Sequence, residues 1–521
     1  MVGSQANPEG KRILRAVAAR RGFLEADLRA TVEDLPDEAL LANIGLVSDR
    51  IRKALYSNEP LVIFGHDDPD GITSTYVLYQ FLNSCGYQRH NYFIPNRNLE
   101  PHGIQQGFID YVRDGGYTLA IAVDNGISSY QGVEALSKLG CDTVIVDHHL
   151  IQPEQLPKAF GIVNPQLPDC QYPFKALAGV GVVLMLTRYL GRLLEHPVPE
   201  SAFFWTAVGS IADKVPMTGL NRVIVRHVFE RWNDIHDQSV DFLLRNFNRI
   251  DSYTDIFNFM QAASRLIANG REEQGQHTAM RFLLQMGDAK AELFEDMEDQ
   301  KKQWESELNK VFRFLDTITV DYEGNGFIYF DDEGVIPYSL LGTAATYILN
   351  KLGIPTIILA PHNGHLVCEG RCSDGFNMVE AFRHCRDLLI QYGGHVKAAG
   401  FSLDKENYDA FLECYNEYLK SELDQDHAKR EIEVDAKADL ADLSVEAWRE
   451  LELLLPFGQQ NPEPVILIRN VSVDDLQKRF NIENCGSNLR SGEQGEAIVS
   501  WKGPQTVRLL EFRKRKEYKS R

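Results

Sequence analysis

Residues 62–75 read VIFGHDDPDGITST, and both the fold and the chemistry of this chain begin in this stretch. An apolar run, Leu61 to Phe64, ends in one histidine and three aspartates within residues 66–70. Four ionisable side chains this close repel one another unless positive charge lies among them. A metal ion, basic side chains or water can meet that need, and the stretch itself contains no lysine or arginine.

Short apolar runs alternate with helical segments from residue 59 onward. In order, they are PLVIFG, TSTYVLYQFLNSCG, YTLAIAVDNG, SYQGVEALSKLG and CDTVIVDHH. This β-α-β-α-β order predicts a parallel sheet covered by helices. A second α/β block contains NGFIYFDD, LGTAATYILNKLG, IPTIILAP and HLVCEGRCS, and the last part of the chain contains the strand-like pieces EPVILIRNVSV, EAIVSW and QTVRLLEF.

The sequence therefore predicts an α/β fold with a parallel-sheet domain, a second α/β domain and a C-terminal β segment. The two α/β domains are joined by a long helix with a sparse apolar stripe, DAKAELFEDMEDQKKQWESELNKVFRFLDTI. The predicted segments are an N-terminal helical segment (1–58), the parallel-sheet domain (59–225), a helical connector (226–316), the second α/β domain (317–422) and the C-terminal β segment (423–521).

The composition is that of a globular chain with a strong acidic balance. Its 521 residues are 44% hydrophobic, and 54 basic against 74 acidic side chains give a net charge of −20. That charge argues against broad electrostatic adhesion to nucleic acid or to an anionic membrane, but it allows a local basic channel or bound cations. No apolar run reaches the length of about 18 residues that marks a membrane span, and the N-terminus lacks the apolar region of a signal peptide.

The eight cysteines are scattered along the chain and form no CxxC pair. This usage favours reduced thiols in a cytosol over a disulfide framework or a zinc ribbon. We therefore expect a cytoplasmic protein that does not enter a membrane.

Acidic and imidazole side chains recur where the predicted apolar segments end. They are His66, Asp68, Asp70, Asp124, Asp147, His148, His149 and Asp213. In an open parallel sheet the carboxyl ends of the strands line one crevice, so we expect these side chains to converge there. Each cluster alone is more often a solvated turn, a surface pair or a helix cap, but four such clusters in one α/β block make coincidence the poorer explanation.

A site with this many carboxylates needs divalent cations to balance its charge. Carboxylate and imidazole ligands without a thiolate suit Mn²⁺ or Mg²⁺. Two such ions bridged by one carboxylate form the arrangement that activates water against a phosphate ester. Because His66, Asp68 and Asp70 alternate along the chain, a locally extended backbone would point them one way, and Asp67 would point elsewhere and bind no metal.

Four stretches resemble, in order, the motifs of the DHH phosphoesterase superfamily: GHDDPDGITS, AVDNGISS, VIVDHH and IADKVP. Similarity to its bacterial RecJ branch lies in YFIPNR, IVNPQ, LAGVGVV and QYGGHVKAAGFSL, and LLPFGQQNPEPV resembles the segment that leads into the OB-fold domain of that branch. The resemblance runs from about residue 40 to about residue 470. It implies a DHH domain, a DHH-associated domain and an OB-like β segment.

The same resemblance implies an activity. RecJ proteins are metal-dependent exonucleases that degrade single-stranded DNA from the 5′ end. By this resemblance the chain would hydrolyse single-stranded DNA to mononucleotides in DNA repair and recombination, with two divalent ions, Mn²⁺ or Mg²⁺, as cofactors.

Roles for single residues follow from the resemblance as well. The implied metal ligands are His66, Asp68, Asp70, Asp124, His148 and Asp213. Asp124 would be the bridging carboxylate, and His149 would contact the scissile phosphate or assist the leaving group. Asp147 would orient a histidine by a hydrogen bond rather than bind metal directly. The implied substrate contacts are Arg97, Arg265, Arg271, Arg371, Gly393, Gly394 and His395.

Two stretches depart from the family pattern. Where the family usually carries an RxNAAGR-like stretch, this chain has SRLIANGREE, which keeps Arg265 and Arg271. Where the family usually has an HxGVVG-like turn, this chain reads IPYSLLG, with Pro337 near the place of the histidine. These changes would affect how the second α/β domain binds DNA. They leave the implied metal ligands intact.

Two other functions stay open at the level of the sequence. One is a DHH phosphodiesterase that acts on short oligonucleotides or small nucleotides, although such enzymes generally lack the N-terminal and C-terminal extensions present here. The other is a non-catalytic DHH scaffold in a replication or repair complex, which would be marked by missing metal ligands. The expected partners are single-stranded DNA and, because the chain is acidic, recruiting proteins such as single-strand-binding protein or other repair proteins.

Overall fold

The computed structural model describes residues 8–96, 103–151, 156–247, 249–270, 272–273, 275–320, 322, 324–362, 364–373, 375–423, 432–483 and 491–514. The chain divides into two compact units. Unit 1 comprises Met1–Gln300 and Val434–Arg521, and unit 2 comprises Lys301–Glu433. None of the described helices combines the length and the apolar character that crossing a membrane requires.

Unit 1 begins with helices and continues into a parallel sheet. The first helices are α1 (Pro8–Arg20), α2 (Glu25–Arg29) and α3 (Ile44–Ser57). The strands of the sheet are β1 (Leu61–Phe64), β2 (His90–Phe93), β3 (Leu119–Val123), β4 (Asp142–Val146) and β5 (Gly161–Val163). The helices that connect the first four strands are α4 (Pro69–Ser84), α5 (Gln106–Gly115) and α6 (Tyr130–Lys138).

The strand order of this sheet is β2-β1-β3-β4-β5. All neighbouring strands in it are parallel, which confirms the sheet predicted from the β-α-β rhythm. Every residue of β1 and β3 is buried, as expected for central strands whose two faces are both covered. The direction of strand addition reverses between β1 and β3, and a crevice opens at such a switch point, at the carboxyl ends of the strands.

A helical layer follows the sheet and packs against α4. Its elements are α7 (Gly179–Leu193), α8 (Glu200–Ala212), α9 (Gly219–Glu230), α10 (Gln238–Arg245), α11 (Tyr253–Ile267), the short strands β6 (Glu272–Glu273) and β7 (Gln276–His277), and α12 (Thr278–Leu284). The next helix, α13 (Asp288–Ile318), is 31 residues long. The boundary between the two units falls within α13, so the long helix expected between the α/β domains is present.

Unit 2 contains a second, mixed sheet. Its elements are β8 (Phe327–Phe330), α14 (Leu341–Leu352), β9 (Thr356–His362), β10 (His365–Arg371), α15 (Met378–His384), β11 (Gln391–His395), β12 (Ala398–Leu403) and α16 (Tyr408–Leu423). The strand order is β11-β12-β10-β9-β8. Only the β8–β9 pair is parallel among these described strands, and the remaining pairs are antiparallel.

The C-terminal part of the chain forms a third sheet, which belongs to unit 1. Its elements are β13 (Ala436–Asp439), α17 (Val445–Leu451), β14 (Val465–Ser472), α18 (Val473–Arg479), β15 (Asn481–Glu483), β16 (Gln494–Gly503) and β17 (Thr506–Lys514). The strand order is β13-β14-β16-β17-β15. The three strand-like pieces read from the sequence correspond to β14, β16 and β17.

Buried arginines attach this C-terminal part to the rest of unit 1. Arg21 pairs with Asp435 at 2.7 Å and donates a hydrogen bond to Asn461 at 2.9 Å. Arg222, in α9, donates to the carbonyl oxygens of Asp27 and Leu453. Fork-shaped guanidinium groups suit this role because each can bind several acceptors at once.

One expectation about the cysteines is wrong. Cys385, which follows α15, forms a disulfide with Cys414 in α16, so these two cysteines are not the reduced thiols that the sequence pattern favoured. They are 29 residues apart in the chain, and α15 packs against α16 in the core of unit 2. The spacing of cysteines alone could not reveal this pair because the packing of two helices brings them together.

Candidate metal centre

Most of the acidic and imidazole side chains singled out in the sequence lie at the carboxyl ends of β1, β3 and β4, and Asp213 joins them from the C-terminal end of α8. Within the described residues, close sets of donor atoms are formed by His66, Asp68 and Asp124, by Asp70, His148 and Asp213, and by Asp124, Asp147, His148 and His149. The donor atoms of each set lie within 4.8 Å of one another. The sheet explains this convergence, since β1 and β3 are neighbours at the switch point and β4 lies beside β3.

The first set is arranged by the turn from β1 into α4. His66 Nδ1 lies 3.1 Å from Asp68 Oδ2. Asp68 is the N-cap of α4, and its Oδ1 accepts the backbone N–H of Gly71 at 2.9 Å. Pro69 occupies the start of the helix, where a missing N–H costs nothing.

The expectation of an extended backbone through Asp70 is wrong. The backbone is extended at Asp68, but α4 begins at Pro69, so Asp70 lies in the first helical turn. The alternation of three residues therefore does not explain why Asp70 faces the site. Asp67, which we expected to bind no metal, lies outside the close donor sets among the described residues, although its Oδ1 is 3.8 Å from His66 Nε2.

Asp70 is fixed by a second helix. Its two carboxylate oxygens accept the backbone N–H groups of Gly179 at 2.7 Å and Val180 at 2.8 Å, at the N-terminus of α7. The first N–H groups of a helix have no partner inside the helix, and the positive end of the helix dipole favours a carboxylate there. Burial raises the pKa of Asp70, while the backbone hydrogen bonds act against that rise.

His148 lies among three carboxylates. Its Nε2 is 3.3 Å from Asp124 Oδ1, 3.8 Å from Asp213 Oδ2 and 3.9 Å from Asp70 Oδ2. Its Nδ1 lies 3.0 Å from the carbonyl oxygen of Leu177, which can only accept a hydrogen bond. Nδ1 therefore carries a proton. In the neutral ring Nε2 is then the unprotonated nitrogen, which is the form that binds a metal ion.

Asp124 is common to the two halves of the site. It lies within the first donor set, and its Oδ1 is also close to His148 of the second. Its backbone has a φ of 58°, a left-handed conformation that non-glycine residues adopt rarely and that occurs preferentially at functional sites. Burial and the charges of Asp70 and Asp68 raise the pKa of Asp124 well above its usual range.

Asp147 uses its carboxylate to hold the backbone and a neighbouring ring. Oδ1 accepts the backbone N–H of His148 at 2.7 Å and lies 2.7 Å from His149 Nδ1, while Oδ2 accepts the backbone N–H of Ile127 at 3.1 Å. Burial acts to raise the pKa of Asp147, but its hydrogen bond and ion pair with His149 prevail and lower it to about 2. The same hydrogen bond raises the pKa of His149 to about 9.

The donors present here fit divalent cations. Asp213, at the end of α8, has its pKa raised to about 8 by burial and by the charge of Asp70. Several carboxylates in one desolvated cluster resist ionisation unless cations balance them. Oxygen and imidazole donors without a nearby thiolate suit Mn²⁺ or Mg²⁺.

The implied substrate contacts have varied placements. Arg97 and Arg271 lie outside the described residues. Arg265 is exposed in the last turn of α11, where its carbonyl oxygen accepts a hydrogen bond from Asn269. Among the described residues, the guanidinium group of Arg265 makes no hydrogen bond or ion pair with the metal centre.

The remaining substrate contacts lie in unit 2. Arg371, at the end of β10, donates to Glu369 at 2.8 Å. Gly393, Gly394 and His395 form the end of β11, beside the turn into β12, and the side chain of His395 lies outside the described part of the chain. Gly394 has a φ of 129°, and an added Cβ would lie 2.5 Å from the carbonyl oxygen of Ala398, so this position requires glycine.

Three supporting features were not predicted from the sequence. Gly179 and Val180 bind Asp70, Leu177 fixes the ring of His148, and Asn125 ties the two central strands together. Asn125 Nδ2 donates to the carbonyl oxygens of Gly65 and Val123, and its buried Oδ1 has no hydrogen-bond partner among the described residues. The stretch LAGVGVV, residues 177–183, was singled out by resemblance, and it contains the first two of these supports, but its pattern alone indicates only a buried helix.

Comparisons with known proteins identify three domains in this chain. The DHH family N-terminal domain matches residues 60–204, the DHHA1 domain matches residues 327–421, and the RecJ OB domain matches residues 434–499. A single-stranded-DNA-specific exonuclease RecJ from Bacillus subtilis is 30% identical over 94% of this chain, and this chain spans 64% of the length of that relative. The protein of the same name from Salmonella typhimurium is 28% identical over 87% of this chain, which spans 82% of its length.

A solved structure is similar as well. The structure of RecJ in complex with Mn²⁺ from Thermus thermophilus has a TM-score of 0.75, with 24% identity, and the match covers 98% of this chain and 76% of the other. At this identity the likeness concerns the fold. The three domain matches, in this order along the chain, identify a DHH family N-terminal domain, a DHHA1 domain and a RecJ OB domain.

Proposed function

We propose that this protein is a metal-dependent exonuclease that hydrolyses single-stranded DNA from the 5′ end to mononucleotides, in DNA repair and recombination. The observation that carries the proposal is the convergence of the donor sets, in which Asp124 belongs to one set with His66 and Asp68 and to another with His148. Relatives that bear the name single-stranded-DNA-specific exonuclease cover most of the chain and support the choice of substrate.

Six side chains of unit 1 would hold two divalent cations: His66, Asp68, Asp70, Asp124, His148 and Asp213. When bound, such ions supply Lewis acidity that polarises a phosphodiester and activates water for its hydrolysis. The protein contributes the fixed geometry. Asp70 is held by the N-terminus of α7, and Nε2 of His148 is aimed at the carboxylates by the hydrogen bond from Nδ1 to Leu177.

His149 is placed to act on the substrate rather than on the cations. Its Nδ1 is held by Asp147, and its side chain is 55% exposed, so the imidazole is accessible beside the buried carboxylates. With Nδ1 engaged, Nε2 is the nitrogen that can donate a proton outward. We propose that Nε2 donates a hydrogen bond to the scissile phosphate or to the leaving oxygen, and that Asp147 orients the ring.

The deciding experiment uses a long single strand labelled at either end, incubated with the purified protein and Mn²⁺. We expect labelled mononucleotides to appear first from the strand labelled at the 5′ end. Hydrolysis of dinucleotides and trinucleotides alone would instead identify a phosphodiesterase of small nucleotides. Binding of the strand without hydrolysis, in the presence of Mn²⁺, would identify a scaffold.

The cellular setting is part of the proposal. We propose a cytoplasmic enzyme, because the DNA substrates of repair arise in that compartment in bacteria, the source of the relatives that it resembles. The net charge of −20 opposes unaided adhesion to DNA, so single-strand-binding protein or other repair proteins would recruit it. A pull-down with single-strand-binding protein on DNA of varied length tests this recruitment, and equal binding to bare and coated DNA would contradict it.

A further inference from the structure

The turn that follows α8 contains a lysine in an unusual backbone conformation. Lys214 comes directly after Asp213, one of the proposed metal ligands, and its φ is 57°. Its backbone N–H donates to the carbonyl oxygen of Ile211 at 3.4 Å. Glycine is usual at this position just past the end of a helix, because a side chain makes the left-handed conformation costly. A non-glycine residue held in that conformation is a candidate for a functional role.

The side chain of Lys214 is exposed beside the metal centre. Within the part of the chain that the structure describes, its ammonium group makes no hydrogen bond and no ion pair. The neighbouring Asp213 side chain is 31% exposed, so this border of the centre is open to solvent. The two side chains are close enough for the charge of Lys214 to act on the Asp213 carboxyl group. Lys214 thus places an accessible positive charge at the border of the centre.

The charge balance of the centre gives this cation a use. Four aspartates are among the proposed ligands, and together they carry as much negative charge as two divalent cations carry positive charge: Asp68, Asp70, Asp124 and Asp213. A negatively charged strand therefore gains little net attraction from the loaded centre. A further cation at its border would supply that attraction.

A purely structural role for Lys214 is the alternative. A cation at the C-terminus of a helix interacts favourably with the helix dipole, and Lys214 follows the last turn of α8. That role changes the free energy of unfolding and leaves the affinity for DNA unaltered. The backbone conformation argues for more, since a lysine inside the last turn would serve the dipole without a left-handed φ.

We propose that the ammonium group of Lys214 binds a phosphate of the single strand at or next to the scissile bond. The inference rests on the proposed hydrolysis of single-stranded DNA. Lysine suits this contact because a flexible four-carbon stem carries a compact charge with three hydrogen-bond donors. A phosphate contact reads no base, so it acts equally on every sequence.

The first test measures the affinity for a labelled single strand by fluorescence anisotropy at several salt concentrations, without divalent cations so that no strand is cut. Each phosphate contact of a single strand contributes about 0.7 to the slope of log affinity against log salt concentration. Lys214→Met should reduce the slope by that amount, because it removes the charge and keeps a side chain of similar length. Lys214→Arg, which keeps the charge, should retain the slope of the wild-type protein.

Lys138→Met is the matched control. Lys138 is 73% exposed in the last turn of α6, which leads to the amino end of β4, whereas the metal centre lies at the carboxyl end of that strand. The substitution removes one positive charge from the same unit, so it separates a local contact from the net charge of the protein. Its salt slope should equal that of the wild-type protein.

Kinetics with Mn²⁺ provide the second test. Lys214→Met should raise KM by about threefold to tenfold, the size of one accessible charge contact. It should change kcat by less than about twofold, because the contact is made equally in the bound strand and in the transition state. Lys214→Gly removes the charge together with the backbone strain, so it should share the raised KM and unfold at about the same temperature as Lys214→Met or higher.

The outcomes distinguish this inference from the proposed function. A salt slope and a KM of Lys214→Met equal to those of the wild-type protein would overturn the phosphate contact and leave the exonuclease intact. Equal reductions of the slope in Lys214→Met and Lys138→Met would also overturn it, since net charge would then be the cause. A lowered unfolding temperature with unaltered affinity would assign Lys214 to the helix dipole alone. If the wild-type protein cuts no strand, the proposed function fails, and the salt slope alone decides the contact.

Discussion

His148 donates a hydrogen bond from Nδ1 to the carbonyl oxygen of Leu177 at 3.0 Å. In a neutral ring this bond fixes the tautomer and leaves Nε2, which lies 3.3 Å from Asp124 Oδ1, free to bind a cation. An imidazole lone pair next to a carboxylate is unfavourable by itself and becomes favourable when a cation lies between them. The hydrogen bond therefore orients the ring as a ligand of the proposed metal centre requires.

Asp124→Asn should abolish metal-dependent hydrolysis. Asparagine tolerates the left-handed backbone at this position, so the fold should persist while the shared negative charge is lost. We expect a fall in kcat of about a thousandfold or more, equivalent to several kcal/mol of transition-state stabilisation. Isothermal titration with Mn²⁺ should show the loss of tight binding independently of activity.

Asp67→Asn provides the control for that variant, because it changes an aspartate in the same turn that we predict is not a ligand. It should keep both Mn²⁺ binding and hydrolysis. Near wild-type activity of Asp124→Asn with Mn²⁺ would contradict the two-metal arrangement, and a loss of Mn²⁺ binding in Asp67→Asn would show that the ligand set is misassigned.

Gly179→Ala should disable the centre without removing a ligand. A Cβ at this position would lie 2.4 Å from Asp124 Oδ1, and the N–H of the same residue holds Asp70 at 2.7 Å. Displacing these carboxylates should lower the rate of hydrolysis by about a hundredfold, since misplacement by about 1 Å can cost that much. In Gly181→Ala, the new Cβ would lie 3.2 Å from Cδ2 and 3.3 Å from Cβ of Leu177, contacts that a small shift relieves without moving a carboxylate, so activity should fall far less. Equal activities of the two variants would refute the steric explanation.

Asp147→Asn should separate ring orientation from metal binding. The amide can no longer accept every hydrogen bond that Asp147 receives from His148, His149 and Ile127. We expect kcat to fall by about tenfold to a hundredfold, in the range found when a group that orients an active-site ring is removed. Mn²⁺ binding, followed by titration calorimetry, should weaken much less than in His148→Ala. Equal losses of Mn²⁺ affinity in the two variants would identify Asp147 as a ligand.

His90 should make the protein less stable in acid. Its buried ring packs between Tyr79 and Tyr87. Burial lowers the pKa of His90, so the unfolded chain, in which histidine titrates near about pH 6.5, takes up the proton more readily. The stabilisation that comes from keeping the His90 ring neutral is complete above about pH 6.5, where histidine in the unfolded chain titrates. It is lost as the pH falls toward the lowered pKa of His90 in the folded protein.

Thermal unfolding at several pH values tests this dependence. His90→Phe removes the titrating group, so its unfolding temperature should fall less between about pH 7.5 and about pH 5 than that of the wild-type protein. His236→Phe, at an exposed position, is the control and should follow the wild-type protein. A parallel decline in all three proteins would exclude His90 as a source of acid sensitivity.

The local pattern of the sequence was sufficient to predict the parallel sheet. Buried apolar runs separated by helical segments allow few other folds, and the acids that follow those runs had to lie at the carboxyl edge of the sheet. The pairing of Asp70 with the N-terminus of α7 was not predictable in this way. It joins residues separated by more than a hundred positions, and a backbone N–H group leaves no signature in the sequence.

The sequence by itself determined which groups the centre contains, because its clusters of carboxylates and imidazoles already require cations as partners. The tertiary structure alone decided how those groups are used. In the folded protein, the carboxylate of Asp147 accepts hydrogen bonds from the backbone and from a neighbouring ring, and Nε2 of His148 faces the carboxylates. Cys385 forms a disulfide with Cys414. Each of these outcomes depends on contacts between distant segments, which form only when the layers of the fold pack together.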